Sequence, residues 1–193
     1  MSKGNLFIVT GPSGAGKGTV LGRLLPTMEQ LQYSVSATTR APREGEEDGV
    51  NYYFLNRNDF LNMVDRGEFL EYAEYVGNFY GTPAGPVDEC LEKGVDVILE
   101  IEVQGALTVK SKRPEAKLVF IIPPTFADLE LRLRSRGSES DEVIAKRLEK
   151  AKNIPWRTTM IISCAMGKWS RQWKSCALSS KRPGAPWIAE SIC

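Results

Sequence analysis

Short apolar runs alternate with helical patterns along most of the chain. Three runs are almost continuously hydrophobic, at residues 6–9, 95–101 and 118–122. Such runs are typical of parallel strands that are covered on both faces. A helical pattern begins after the glycine-rich turn that follows the first run, and residues 104–112 fit a crossover helix between the other two. The alternation of strands and helices predicts an α/β layered fold with a parallel sheet.

Two sections depart from this alternation and predict additional subdomains. After two prolines at 123 and 124, the pair Thr125 and Asp128 is a helix-start signal, and a second helix is predicted near residues 140–152. Residues 33–80 are instead rich in Thr, Tyr, Phe and Gly, with short alternating stretches. This pattern indicates a small mixed α+β insertion around a helix at residues 58–66.

The composition restricts the chemistry that the chain can perform. It has 193 residues, enough for one globular domain with mobile subdomains, and it contains no histidine. A histidine base, a Ser-His-Asp triad and a histidine-ligated metal are therefore excluded. The four cysteines have no paired metal-ligand spacing. With no apolar run as long as a membrane span and a polar start unlike a signal peptide, we expect a cytoplasmic protein without a membrane partner.

The first glycine-rich turn has the spacing of a phosphate-binding loop. Its glycines let successive backbone N–H groups point into one concavity, which the following helix N-terminus makes positive. Lys17 adds a charge that can reach the β- and γ-phosphates of a nucleoside triphosphate. A hydroxyl residue usually follows this lysine, but here Gly18 does, and Thr19 is the nearest hydroxyl that could bind a metal ion. The predicted ATP-phosphate site comprises Gly11, Pro12, Ser13, Gly14, Ala15, Gly16, Lys17, Gly18 and Thr19.

A second set of motifs carries a resemblance to a known family. The segment at 34–43 reads Ser-Val-Ser-Ala-Thr-Thr-Arg-Ala-Pro-Arg, and the motifs at 69–73, 77–82, 99–105 and 134–137 follow in order. Over residues 5–152 this order and spacing resemble the guanylate kinase family. The resemblance implies a three-layer P-loop NTPase fold with a GMP-binding insertion and a helical lid. It also implies transfer of the γ-phosphoryl group of ATP to GMP, with Mg²⁺ bound to the ATP.

The resemblance assigns the GMP site residue by residue. Arginine forks suit a phosphate dianion, and the family pattern places Arg40, Arg43, Tyr52 and Tyr80 on the GMP phosphate. Guanine offers two adjacent donors, N1–H and the 2-amino group, and one carboxylate can accept both. The pattern puts Glu71 there, and the base pocket is completed by Ser36, Thr82 and Glu102. Such a pocket rejects AMP, because adenine would leave the carboxylate unpaired.

Phosphoryl transfer requires aligned nucleotides and neutralised charge more than covalent catalysis. The resemblance therefore gives a catalytic role to Lys17, Arg40 and two lid arginines, Arg136 and Arg147. Arg132 and Arg134 are alternatives within the same lid. The implied subdomains are a core at 1–33 and 83–124, a GMP-binding part at 34–82, and lid helices at 125–152.

The tail at 153–193 does not continue the family pattern. Residues 151–193 hold all four tryptophans, three of the four cysteines, and seven basic residues against one acidic residue. The family pattern predicts a strand similar to Tyr-Asp-Tyr-Val-Val-Asn, followed by a helix. If Thr159 to Cys164 are encoded ACT-ATG-ATT-ATA-TCG-TGC, reading from the last base of the first codon gives Tyr-Asp-Tyr-Ile-Val. We hypothesise that a single-base frameshift near residues 152–155 replaced the natural strand and helix.

Three other functions are weighed against this interpretation. A guanylate-kinase-like binding module, or a catalytically impaired one, usually has an eroded phosphate loop, whereas Lys17, Arg40 and Arg43 are present here. Another nucleoside monophosphate kinase is disfavoured by Glu71. The basic, tryptophan-bearing tail could bind nucleic acid. Out-of-frame translation explains the same composition without a function, so we expect ATP and GMP as substrates and no nucleic-acid partner.

Overall fold

The computed structural model describes residues 2–135 and 140–152 and the backbone of residues 161–163. The strands are β1 Leu6–Thr10, β2 Leu31–Tyr33, β3 Ala37–Thr38, β4 Tyr53–Phe54, β5 Phe69–Tyr75, β6 Asn78–Pro83, β7 Asp96–Glu100, β8 Lys117–Ile122 and β9 Ile161–Ser163. The helices are α1 Lys17–Leu24, α2 Arg57–Asp65, α3 Ala84–Glu92, α4 Val103–Lys112, α5 Phe126–Ser135 and α6 Asp141–Lys152. The chain forms two compact units, one of Met1–Thr10 with Lys17–Leu118, the other of Gly11–Gly16 with the chain from Val119 onward.

Parallel strands form the centre of the first unit. Strand β7 lies between β2 and β1, with Tyr33 beside Ile98 and Val9 beside Glu100. The five residues of β1 are all buried, as the continuous apolar run predicted. Helices α3 and α4 cover these strands in a core that also includes Leu70 of β5, and α4 contributes Ala106 and Val109. The core therefore fixes α4 directly against β5.

A four-stranded sheet forms the insertion, in the order β4-β3-β6-β5. Phe60 of α2 is fully buried and stacks between Phe69 and Phe79, with ring centroids 4.4 and 5.4 Å away. The Asn56 side chain accepts a hydrogen bond from the Asp59 N–H and so caps α2. Strands β5 and β6 are antiparallel, and their register shifts between Phe69 and Glu71.

Helices α5 and α6 pack together in the second unit. Leu129 and Leu133 of α5 and Ile144 of α6 form its buried core. The Asp128 N–H donates to the Thr125 hydroxyl, which confirms the helix start predicted from these two residues. In the same unit, β9 runs parallel to β8.

The predicted elements are confirmed with ends that shift by a few residues. All three apolar runs are strands, the helices predicted at 58–66, 104–112 and 140–152 are present, and the fold is α/β with parallel strands. The structure differs at the C-terminus, where the frameshift hypothesis expects a lost strand but Ile161–Ser163 form β9. Two consecutive isoleucines have high β-propensity, so out-of-frame residues can still pair with β8. Within the described part of the chain, no helix is long and apolar enough to cross a membrane.

Candidate functional site

The glycine-rich loop connects β1 to α1, as its sequence predicted. Gly14 and Gly16 have φ values of +87° and +95°, in the left-handed region that side chains rarely adopt. A Cβ on Gly14 would also lie 2.9 Å from Leu133 Cδ2, so the loop needs glycine there to pack against α5. The Ala15 N–H donates to the Pro12 carbonyl, and α1 begins at Lys17. This backbone turns into a helix N-terminus, the arrangement that binds phosphate anions.

Among the described arginines of α5 and α6, Arg132 and Arg147 contact this loop, and Arg147 is one of the two that the sequence favoured. Arg132 of α5 donates to the Ala15 carbonyl at 3.1 Å, and Arg147 of α6 donates to the Ser13 hydroxyl. Arg134 forms ion pairs with Glu130 and Asp141 on the exposed side of the same helices. Arg136 lies outside the described residues. Contact with the loop therefore favours Arg132 over Arg134 between the two alternatives, and Arg136 stays a prediction.

Three of the residues assigned to the GMP phosphate lie together in the insertion. The Arg40 guanidinium carbon is 5.5 Å from the centroid of the Tyr52 ring, and the Tyr52 and Tyr80 rings are 6.2 Å apart. Burial, then the neighbouring Tyr80, raises the pKa of Tyr52, so its hydroxyl stays protonated and can donate. Arg43 lies in the exposed loop after β3, where its charge opposes that rise. The cluster combines a planar cation with two hydroxyl donors, which suits a phosphate.

Glu46 connects the two arginines, a role that the sequence did not reveal. One carboxylate oxygen accepts from Arg40 at 2.9 Å, and the other accepts from the Arg43 backbone N–H at 2.8 Å. The bond from the Arg43 backbone, followed by the bond and charge of Arg40, holds the pKa of Glu46 below its ordinary value. An acid three residues after Arg43 was the available signal, because that spacing suits a turn.

The carboxylate of Glu71 is buried between strands and helix. Glu71 lies opposite Thr82 in the β5–β6 pair and is only 8% exposed. Its Oε1 accepts a hydrogen bond of 2.7 Å from the Thr82 hydroxyl. Burial raises the pKa of Glu71, while the Thr82 hydroxyl, the charge of Lys112 and the Thr82 backbone oppose that rise. The Thr82 hydroxyl therefore fixes one oxygen of a largely buried acid.

The other sequence-predicted residues occupy less enclosed positions. Ser36 is half-buried just before β3, and its carbonyl accepts from the Tyr53 N–H. Glu102 is exposed at the N-cap of α4. Gly18 and Thr19 are exposed in the first turn of α1, and a Cβ on Gly18 would meet no atom within 4 Å. The space at Gly18 therefore does not explain why a hydroxyl residue is missing there.

Glu100 is a further carboxylate that sequence reasoning did not select. It ends β7 and lies beside Val9, near the end of the strand that leads into the glycine-rich loop. The Tyr33 hydroxyl is 3.5 Å from its Oε2. No group of three or more His, Cys, Asp or Glu residues that could hold a metal ion occurs in the described part of the chain. A lone carboxylate and a hydroxyl suit Mg²⁺, which usually binds through one or two protein ligands, phosphates and water.

Comparisons with known proteins agree on one family. The family model described as guanylate kinase matches residues 3–163. A guanylate kinase from Streptococcus pneumoniae is 56% identical over 151 residues, which are 78% of this chain and 73% of the relative. One from Halalkalibacterium halodurans is 54% identical over 150 residues, 78% of this chain and 74% of the relative. The crystal structure of a guanylate kinase from Anaplasma phagocytophilum aligns with a TM-score of 0.61 and 31% identity, covering 92% of this chain and 84% of its own.

Proposed function

The chain belongs to the guanylate kinase family, and we propose that it transfers the γ-phosphoryl group of ATP to GMP, giving ADP and GDP. The buried carboxylate of Glu71 is the observation that carries this proposal, because guanine needs an acceptor for two adjacent donors. Adenine has no such donor pair and would leave the buried carboxylate unpaired. The enzyme is therefore a kinase and a nucleotide-binding transferase that is selective for GMP.

The insertion supplies both ends of the proposed GMP site. Glu71 and Thr82 lie side by side on β5 and β6, and Tyr80 lies two residues before Thr82 on the same strand. Arg40 follows the neighbouring strand β3 and contacts the Tyr52 ring. A nucleotide with its base at Glu71 would have its phosphate at the Arg40 cluster. Ser36 and Glu102 would complete the base pocket, and Arg43 would add charge at the phosphate.

The glycine-rich loop holds the donor phosphates in this proposal. Its backbone N–H groups and Lys17 would bind the β- and γ-phosphates of ATP, in the manner of a Walker A loop. An oxygen of the GMP phosphate then forms a bond to the γ-phosphorus while the bond to the bridging oxygen of ADP breaks. Arg132 and Arg147 contact the loop and can balance the charge that spreads over the transferred oxygens. Arg136 stays a prediction of the same kind.

Mg²⁺ is the metal ion that this reaction implies. Thr19 and Glu100 would hold it, because an acid on the strand beside the loop strand and a hydroxyl after the loop are the usual protein ligands in this class. The ion supplies positive charge at the phosphates. The predicted cytoplasmic location, the subdomain boundaries and the absence of nucleic-acid and membrane partners stay predictions.

A coupled assay of ADP release tests the proposed function. The purified chain is supplied with ATP and Mg²⁺, with GMP or AMP as acceptor at equal concentration. We expect turnover with GMP and at least about a hundredfold less with AMP, since a buried unpaired carboxylate penalises adenine by that factor or more. Equal turnover with both acceptors would contradict the proposal. GMP binding without turnover would leave a guanylate-kinase-like module whose C-terminus is the defect.

A further inference from the structure

Gly105 is a glycine in a helix whose backbone does not require one. It is the third residue of α4, and its φ lies outside the left-handed region that eight other glycines occupy. Apart from proline, glycine is the poorest helix former. Another residue would therefore make α4 more stable if conformation alone mattered.

The space beside Gly105 is filled by the carboxylate of Glu71. A Cβ at this position would lie 2.6 Å from Glu71 Oε2, 3.1 Å from Cδ and 3.3 Å from Cγ. The three other helical glycines in the described part of the chain, Gly18, Gly22 and Gly85, would meet no atom within 4 Å. Gly105 is thus distinguished from them by a buried charged group in the place of its missing side chain.

Two elements hold the Glu71 carboxylate from opposite directions. The Thr82 hydroxyl on β6 donates to Oε1, and Oε2 lies against Gly105 on α4. The contact between α4 and β5 is fixed nearby, because Leu70 and Ala106, which adjoin these two residues, share one core. The helix therefore cannot retreat without disturbing that core, and only the end of the Glu71 side chain can move.

We propose that Gly105 is a positioning residue that sets the selectivity for guanine by leaving room for the Glu71 carboxylate. This inference rests on the proposed function. A methyl group at position 105 turns the Glu71 side chain away from α4, since a flexible side chain yields more easily than a packed helix. The fold is kept, but the two carboxylate oxygens no longer face the guanine donors. Guanine selectivity is lost while binding of the triphosphate is unaffected.

The test compares Gly105→Ala with Gly85→Ala, a matched change in the first turn of α3. Dissociation constants for GMP, IMP and ATP are measured by calorimetry, together with thermal unfolding. IMP retains N1–H but lacks the 2-amino group, so the GMP-to-IMP preference reports how the carboxylate is aligned. We expect Gly105→Ala to weaken GMP binding about tenfold or more, to shrink that preference and to leave ATP binding unchanged. Gly85→Ala should change none of these.

A second variant distinguishes a displaced Glu71 carboxylate from a general loss of packing. Glu71→Asp shortens the acid by one methylene, so it should relieve the contact in the double variant Gly105→Ala/Glu71→Asp. The double variant should bind GMP more tightly than the product of the two single effects predicts. If Gly105→Ala does not fold, the double variant must fold and prefer GMP over IMP.

The remaining outcomes contradict either this inference alone or the proposed function together with it. Unchanged GMP binding by Gly105→Ala overturns the inference alone, provided that the parent chain prefers GMP to AMP. Equal losses for GMP, IMP and ATP, or simple additivity in the double variant, also overturn it, because a general structural defect would produce them. A parent chain without a preference for GMP over AMP overturns the proposed function and this inference together.

Discussion

Glu71→Gln tests the charge of the buried carboxylate while keeping its shape. Glutamine has the same length, so the packing around Glu71 is retained, and the Thr82 hydroxyl can donate to or accept from the new amide. The carboxylate has two acceptor oxygens, whereas the amide has one acceptor and one donor. The amide nitrogen would therefore face either a guanine donor or the Thr82 hydroxyl.

The size of the effect follows from the lost hydrogen bond. A hydrogen bond to a charged group contributes about 1.5–3 kcal/mol. Since about 1.4 kcal/mol is a factor of ten in affinity, we expect GMP binding to weaken about 10- to 150-fold. The binding of ATP should not change, because Glu71 belongs to the proposed base pocket.

Stability should change in the opposite direction. Burial raises the pKa of Glu71 in the folded chain, so the folded state holds this proton more tightly than the unfolded state does. The resulting stabilisation is present below the unfolded pKa and is lost as the pH rises through the folded pKa. A neutral glutamine does not lose it, so at pH 8 the variant should be at least as stable as the parent chain.

Calorimetry with GMP over a pH series, together with thermal unfolding, measures both effects. The GMP phosphate ionises at about pH 6 and should raise affinity in both chains. The parent chain should show a further rise as Glu71 ionises, and the variant should lack that second contribution. Glu74→Gln, an exposed position on the same strand, is the control and should match the parent chain. GMP affinity within twofold of the parent chain would show that Glu71 is not the base acceptor.

Three further changes test neighbouring parts of the site. Thr82→Val removes a hydroxyl that lowers the pKa of Glu71. In the same calorimetric series, GMP affinity should fall about tenfold, and the rise in affinity that follows Glu71 ionisation should move to higher pH. An unchanged pH for that rise would refute the coupling between Thr82 and Glu71. Arg147→Ala should lower kcat about a hundredfold in the ADP-release assay with little change in GMP affinity. The control Lys146→Ala, exposed on the same helix, should leave kcat unchanged. Equal losses of kcat in the two variants would assign Arg147 a structural role. Sequencing the gene should reveal an alternative frame that encodes the family's last strand, and restoring it should raise the melting temperature by several degrees; a gene without that frame would refute the frameshift.

The phosphate loop could be predicted from the sequence because its determinants are local. Positive φ values at Gly14 and Gly16 and a helix starting at Lys17 depend on residues only a few positions apart. The strands were equally predictable, since burial on both faces requires continuous apolar runs. The arginines that contact the loop were harder to predict, because the sequence of an arginine-rich helix does not reveal which of its faces packs inward. Leu129 and Leu133 turn inward, and Arg132 rather than Arg134 then reaches the loop.

The sequence by itself therefore determined the α/β fold, the phosphate loop and the residue types that a guanine nucleotide needs. Only the tertiary structure decided how those residues support one another. Glu46 binds both Arg40 and the Arg43 backbone. Gly105 lies against Glu71, which is 34 positions earlier in the chain. Local propensity and spacing act over a few residues, whereas a contact between distant residues exists only after the core has brought a helix and a strand together.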